Sequence, residues 1–243
     1  MKIKFIPLLL YTLTLLLIAA SCRQEDGSPV RNVRFDPKLL NPVKGGACAS
    51  YSYFYENGRA DLGSVYTKQM IISFAEGSSY EEQKSIAAKY VFIKNMGNQT
   101  STNSAMLYTV ELVSGLNCKQ TEQAINILAN DPMVAYAAPY FIQGKNLLGL
   151  SNEAMVTVRA GGEATLQRML QDYKANLVAS LGNEVYVVRV DKNSNGNALE
   201  LANHLKEQDG IAHAEPDFVV SVAPAHPGLN RGLNGANRAA FVR

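Results

Sequence analysis

The chain carries one phrase twice. Val134-Ala135-Tyr136-Ala137-Ala138-Pro139-Tyr140-Phe141 returns as Ile211-Ala212-His213-Ala214-Glu215-Pro216-Asp217-Phe218. Each copy reads apolar residue, Ala, ring, Ala, any residue, Pro, any residue, Phe, and each follows an amphipathic helix. An internal repeat constrains a fold more than any single residue does, because each copy must be one structural unit.

Aligning outward from the phrase matches the rest. A first strand holds Met70, Ile72 and Phe74, matched by Met155, Val156 and Val158. Small turns follow at Glu76-Gly77 and Ala160-Gly161. Helical stripes come next: Gln83, Ile86, Ala87 and Tyr90, then Leu166, Met169, Leu170 and Tyr173. Their i, i+3, i+4, i+7 spacing puts each stripe on one helical face. A second strand is expected near Tyr90 to Lys94 and near Ala175 to Leu181. A long polar loop from Gly97 to Ser104 in copy one is replaced by Gly182-Asn183 in copy two, a length suited to a hairpin. Third strands carry Tyr108, Val110 and Leu112, or Tyr186, Val188 and Val190. Second helices carry Thr121, Ala124, Ile125 and Leu128, or Ala198, Leu201, Ala202 and Leu205.

The expected class is therefore α+β: two tandem ferredoxin-like β-α-β-β-α-β sandwiches with antiparallel sheets, over residues 67–143 and 151–222. The linker between them, Gly144 to Ser151, is short and rather apolar. The Pro-containing phrase becomes each fourth strand, at a sheet edge. That placement suits Pro139 and Pro216, because Pro cannot donate to a ladder.

The front end is not fold. A basic start, an apolar run from Phe5 to Ala20 and small residues before Cys22 give a secretory signal over residues 1–21. Cys22 after small residues resembles the lipidated Cys of a bacterial lipoprotein; an ordinary secretory signal with an incidental Cys is the alternative. The acidic stretch Arg23 to Ser28 resembles the surface-export tether of Bacteroidetes-type lipoproteins, and a plain solvated linker has the same composition. Residues 22–66 then read as tether and lead-in. Within them Tyr51, Tyr53 and Tyr55 fit either an extra strand or a segment lying on the first unit. Residues 223–243 read as a disordered tail.

Formal charge is +2, and loss of Lys2 and Lys4 with the signal removes it. No basic field is left to recruit nucleic acid. Cys48 and Cys118 remain after Cys22; in an exported chain they fit a disulfide or two separate thiols, since spacing alone does not bring their Cα atoms together. His204, His213 and His226 show no metal-ligand spacing, and no phosphate-binding glycine fingerprint occurs. Neither metal nor cofactor nor small-molecule substrate is expected.

Gly210-Ile211-Ala212-His213-Ala214-Glu215-Pro216-Asp217-Phe218 resembles the end of a subtilisin-type propeptide, the peptidase inhibitor domain that precedes subtilase catalytic domains. Tyr186-Val187-Val188-Arg189-Val190 resembles its third strand. The first copy keeps Ala137, Pro139 and Phe141 but has Ala138 in place of Glu. The resemblance covers residues 67–222. It implies a partner, a subtilisin-like serine protease, whose helices the sheet packs against. The segment after the fourth strand would enter the substrate cleft by strand addition, where main-chain hydrogen bonds give affinity and alternate side chains fill pockets.

In copy two that segment is Val219, Val220, Ser221, Val222 and Ala223; in copy one it is Ile142 to Lys145. Glu215 and Asp217 are candidates to meet helix N-termini of the partner; a solvated strand end, the commoner state of such carboxylates, is the alternative. After Val222 only a short tail rich in Asn, Gly, Arg and Ala follows, and none of the usual subtilase motifs bearing Asp, His or Ser is present. The chain thus resembles the inhibitor half without the enzyme half. The expectation is a non-catalytic, lipid-anchored, exported binding protein, with copy two as the binding copy. A structural or adhesive surface role, or a precursor remnant without its catalytic domain, are the alternatives.

Overall fold

The computed structural model describes residues 47–222 apart from Asn57. The signal, Cys22, the tether to residue 46, Ala223, His226 and the tail lie outside the described residues. The elements run β1 (Tyr51–Tyr55), β2 (Gly58–Gly63), β3 (Val65–Phe74), α1 (Tyr80–Lys89), β4 (Ile93–Ser101), β5 (Met106–Leu112), α2 (Cys118–Ala129) and β6 (Val134–Gln143). They continue β7 (Asn146–Val158), α3 (Glu163–Tyr173), β8 (Asn176–Gly182), β9 (Val185–Arg189), α4 (Ala198–Lys206) and β10 (Ile211–Val222).

Three of the described helices begin at a coded cap. Ser79 and Glu82, Asn117 and Gln120, and Asn197 and Glu200 each exchange side-chain-to-backbone hydrogen bonds as a capping box. Helix α3 starts after Gly162 without a side-chain cap. A β-carbon at Gly162 would fall on the Gly210 carbonyl oxygen, so the site is closed to larger residues. The predicted stripes are buried: Thr121, Ala124, Ile125 and Leu128 on α2, Leu166, Met169 and Leu170 on α3, and Ala198, Leu201, Ala202 and Leu205 on α4.

All strand pairs are antiparallel. β3 to β6 lie in the order β4-β5-β3-β6, and β7 to β10 in the order β8-β9-β7-β10. Both are the second–third–first–fourth arrangement of a β-α-β-β-α-β unit. The fold is α+β with antiparallel sheet, as expected.

The two runs do not keep separate sheets, however. They share one eight-stranded sheet, and the expected linker supplies the join. Gln143 pairs with Asn146 across the two-residue turn Gly144-Lys145, and Gly144 has φ +61°. Gly first in a two-residue hairpin loop matches the twist of the flanking strands. Residues 146–151 are therefore strand, the first part of β7.

Two further expectations are corrected here. β6 is not an edge strand: β3 pairs along it, and Tyr140 to Gln143 pair with β7. Pro139 escapes the ladder cost by lying just before the β7 pairing begins. The polar loop of copy one is also shorter than expected. Polar residues 97–101 are the exposed end of β4, opposite Tyr108, Leu107 and Met106. A strand with solvent on one side tolerates such a sequence.

The face of the first unit away from its helices is buried as well. Ile71, Leu107 and Tyr140 are enclosed there, and the Tyr140 hydroxyl shares a 2.8 Å hydrogen bond with Thr109. The turn between β4 and β5 reaches β7: Asn103 and Ser104 donate to Glu153, and Asn152 exchanges hydrogen bonds with Thr102 and Ser104. The sheet thus curls until the outer hairpin of one unit touches the first strand of the other.

The β1–β2 hairpin lies on the helical side. Asn203 of α4 accepts from the Phe54 backbone N–H and donates to the Ser52 carbonyl. Tyr51 donates to Glu122 of α2 at 3.1 Å. Cys48 and Cys118 form a disulfide, Cα to Cα 5.8 Å, which ties the entry of the hairpin to the start of α2. The three tyrosines therefore belong to an added strand that is also a strap.

Candidate binding surface

The two copies of the Pro-Phe phrase are put to different uses. Phe141 and Phe218 each receive a ring from β1: Tyr51 stands 5.3 Å from Phe141, and Tyr53 stands 5.6 Å from Phe218. The strap thus bridges the two phrases. Burial pushes the Tyr51 hydroxyl up to about 12, with the neighbouring Glu122 carboxylate adding to the rise. That hydroxyl keeps its proton and remains a donor at any ordinary pH. Beyond this contact the copies diverge, because β6 is interior whereas β10 pairs only with β7 among the described residues.

β10 changes character at a bulge. Pro216 lies opposite Ala154 and Phe218 opposite Leu150, so Ser151, Asn152 and Glu153 of β7 face only Asp217. These three polar residues are buried in mid-sheet. Each is satisfied locally. Glu153 donates its N–H to the Ser151 hydroxyl, and its carboxylate accepts from Asn103 Nδ2, Ser104 N and Ser104 Oγ at 2.6 to 2.8 Å. Burial alone would raise the Glu153 pKa. The hydrogen bonds from Ser104, Asn103 and Thr102 outweigh it and hold the group below the usual carboxylate range.

Before the bulge, Ala214 is buried against the helical layer and Glu215 is turned to the other face. Glu215 lies opposite Met155, whose side chain is 51 % exposed, and pairs with His213 at 2.7 Å. In this second unit the face away from the helices is exposed around Met155, while Glu153 and Val187 on the same face are covered. In the first unit the same face is filled by Ile71, Leu107 and Tyr140.

After the bulge, Val219 packs inward opposite Gly149. Val220 is 63 % exposed and Val222 78 %. Val219 to Val222 were expected as a free segment beyond the strand. They are instead its last paired residues, opposite Gly149 to Asn146, with one edge spent on β7 and no strand paired along the other among the described residues.

Of the residues singled out from sequence, Glu215, Asp217, Val219, Val220, Ser221 and Val222 therefore share one marginal strand, whereas Pro139 and Phe141 lie inside the sheet. Sequence reasoning missed Glu153 and Met155. The readable signal was the polar triplet Ser151-Asn152-Glu153 inside the apolar run from Leu147 to Val158.

A cleft of about 520 Å³ lies alongside. Its walls are Thr100 to Asn103, at the end of β4, and Asp217 to Val220 of β10; Met155 and Val187 are among the residues that line it.

No family model matches the chain, and no curated protein matches it. Among solved structures it is similar to a chain of an SXL-lethal protein/RNA complex, at 16 % identity and a TM-score of 0.25, over 65 % of this chain and 99 % of that one. A likeness this loose carries no functional argument. RNA binding is a property of that complex.

Proposed function

We propose that this chain is a non-catalytic exported lipoprotein, anchored in an outer membrane through Cys22, that binds a subtilisin-like serine protease as inhibitor or folding chaperone. The observation that carries the reading is the state of β10. It bears the Glu215-Pro216-Asp217-Phe218 phrase, one of its edges pairs with no other described strand, and near its end it carries two exposed valines, Val220 and Val222. An open edge with alternating apolar side chains is what strand addition uses. The open face around Met155 and Glu215 offers the second contact that the propeptide resemblance implies. The equivalent face of the first unit is filled, which favours the second unit as the binding copy.

The test is direct. The mature chain is mixed with purified subtilisin-like proteases and peptide hydrolysis is followed. Slowed hydrolysis, with a stable complex on gel filtration, supports the reading; unchanged hydrolysis by every protease tried, with no complex, removes it.

A second reading, a surface lipoprotein used for structural or adhesive contact, is favoured by the strap. The disulfide and the Asn203 clasp fasten the lead-in from the anchor onto the helical layer, as a load-bearing junction requires. Under this reading the exposed valines are incidental to protease binding.

A further inference from the structure

The β1–β2 hairpin is held less firmly than the units it lies on. It forms a two-stranded sheet of its own, and a lone hairpin is marginal in water. Along its two strands only Leu62 is fully buried; the other residues are half-buried or exposed. Among the described residues, its hydrogen bonds to the helices are the Asn203 clasp on Ser52 and Phe54 and the Tyr51 bond to Glu122. Tyr51 and Tyr53 rest on Phe141 and Phe218.

Its two ends are fastened differently. At one end the hairpin runs into β3 through Gly63, with φ +66°, and the exposed Ser64. At the other the Cys48–Cys118 disulfide makes the covalent tie. The hairpin is thus a flap with a chain hinge at one end and a reducible bond at the other. The two cysteines also differ in setting. Cys48 is exposed, whereas Cys118 is buried as the first residue of α2. A thiolate in the first turn of a helix meets the positive end of the dipole, which favours it as a leaving group. Exposure of the one and the helix position of the other both favour attack at Cys48 with departure of Cys118.

From this we infer that the Cys48–Cys118 disulfide is a redox latch on the strap, opened by a dithiol reductant. One reductant thiolate attacks the Cys48 sulfur, the bond to Cys118 breaks, and Cys118 leaves as a thiolate and takes up a proton. The second reductant thiol then attacks the reductant's own sulfur in the mixed disulfide and releases Cys48. The reductant ends as a disulfide, and its two electrons and two protons end on Cys48 and Cys118.

The freed flap swings away on Ser64. The point at which the lead-in joins the fold moves from Cys48 to Val65, which adds roughly 50 Å of extended chain at about 3.3 Å per residue. The rings of Phe141 and Phe218, one from each copy of the repeated phrase, lose their cover. The two units stay folded, because their cores are built mostly from β3 to β10 and the helices. This goes beyond the proposed function: it concerns how the lead-in is fastened, with or without a protease.

Hydrogen exchange read by mass spectrometry, with and without dithiothreitol, tests the latch. The sample is the full mature chain carrying Cys22→Ser, so that no third thiol intervenes. After reduction the amides of β1 and β2 should exchange within about tenfold of an unstructured chain, while those of β6 and β7 keep about hundredfold protection or more. A Cys48→Ser, Cys118→Ser double variant should match the reduced chain with or without the dithiol. A second measurement reads the coupling. Asn203→Ala weakens docking without touching the bond, so in a dithiol–disulfide buffer it should move the Cys48–Cys118 equilibrium toward the reduced form by about fivefold or more.

Hairpin amides as protected as those of β7 in the reduced chain overturn the inference, because the strap then holds without its bond. Loss of protection in β6 and β7 together with the hairpin also overturns it, because the disulfide then secures the whole fold. So does an equilibrium unmoved by Asn203→Ala, which would make docking and the bond independent.

Discussion

Tyr140 and Gly149 touch so closely that a side chain at position 149 has nowhere to go. A β-carbon built on Gly149 would lie 2.6 Å from two ring atoms of Tyr140 and 2.9 Å from Ile71 Cδ1. The pair sits where β6 and β7 join the two units, with Tyr140 opposite Gly149 in the register. Tyr140 is 1 % exposed and hydrogen-bonded to Thr109, so its ring cannot swing aside without losing that bond.

Gly149→Ala should therefore destabilise the fold by overpacking, by about 1–3 kcal/mol. Urea unfolding followed by circular dichroism checks this. The midpoint should fall with the slope unchanged. Tyr140→Phe in the same background removes the hydroxyl but not the ring, and should not restore the loss.

The disulfide gives a larger effect. Cys48 and Cys118 close a stretch with a sequence separation of 70, and the chain-entropy relation assigns such a loop about 4 kcal/mol. Reduction should lower the melting temperature of the native chain and leave that of Cys48→Ser unmoved. Cys118 is buried, whereas Cys48 is exposed. Cys118→Ser should then be the less stable of the two single variants, because it also places a hydroxyl in the core.

Much of this architecture is legible in the sequence, for a physical reason. The helical stripes and strand alternation follow from burial of one face, and burial leaves a period. Thr121 to Leu128 and Ala198 to Leu205 are therefore found correctly. The join of the two sheets leaves no period. Gly144 to Ser151 reads as an apolar linker because a strand buried on both faces, as the first part of β7 is, loses its alternation. The tyrosines of β1 were visible as a pattern, but their partners Phe141 and Phe218 lie 90 and 165 positions away. The candidate surface was half legible: the phrase located β10, whereas the cleft needs β4 as well, which only tertiary curvature brings alongside.

Glu153 predicts an acid limb of stability. Its pKa is lowered in the folded state, so its contribution is fully present above the unfolded value of about 4.3 and fades as pH falls through the lower, folded value. Asp131 acts in the same sense. Burial opposes its charge, and hydrogen bonds from Lys89, Tyr90 and the Met133 N–H outweigh that cost. Unfolding free energy should therefore fall below about pH 4. Glu153→Gln should flatten part of that fall and lower stability at pH 7, by about 1–3 kcal/mol, because an amide cannot accept all three donors. Chemical denaturation across pH 2 to 7 decides the matter; parallel curves for both proteins would contradict it.

The strap can be loosened without touching the core. Asn203→Ala removes both hydrogen bonds that hold Ser52 and Phe54 to α4. Each is worth about 1 kcal/mol net. Amide exchange in β1 and β2 should quicken by tenfold or more, while β7 and β10 stay as protected as before. Equal quickening everywhere would mean that the hairpin unfolds only with the whole domain.

The exposed valines separate the two functional readings. Val220 and Val222 lie on β10 with one edge paired and their side chains in solvent. Substituting both by Asp removes no buried contact, so stability should change by less than about 0.5 kcal/mol each. If the chain engages a protease through this strand, the double variant places two carboxylates where apolar pockets expect methyl groups. Burying an unpaired charge is costly enough that inhibition should weaken by a hundredfold or more. Inhibition constants for the native and double-variant chains, measured with melting temperatures on the same samples, give the answer. A protease slowed equally by both would move the contact from this strand to the open face around Met155 and Glu215.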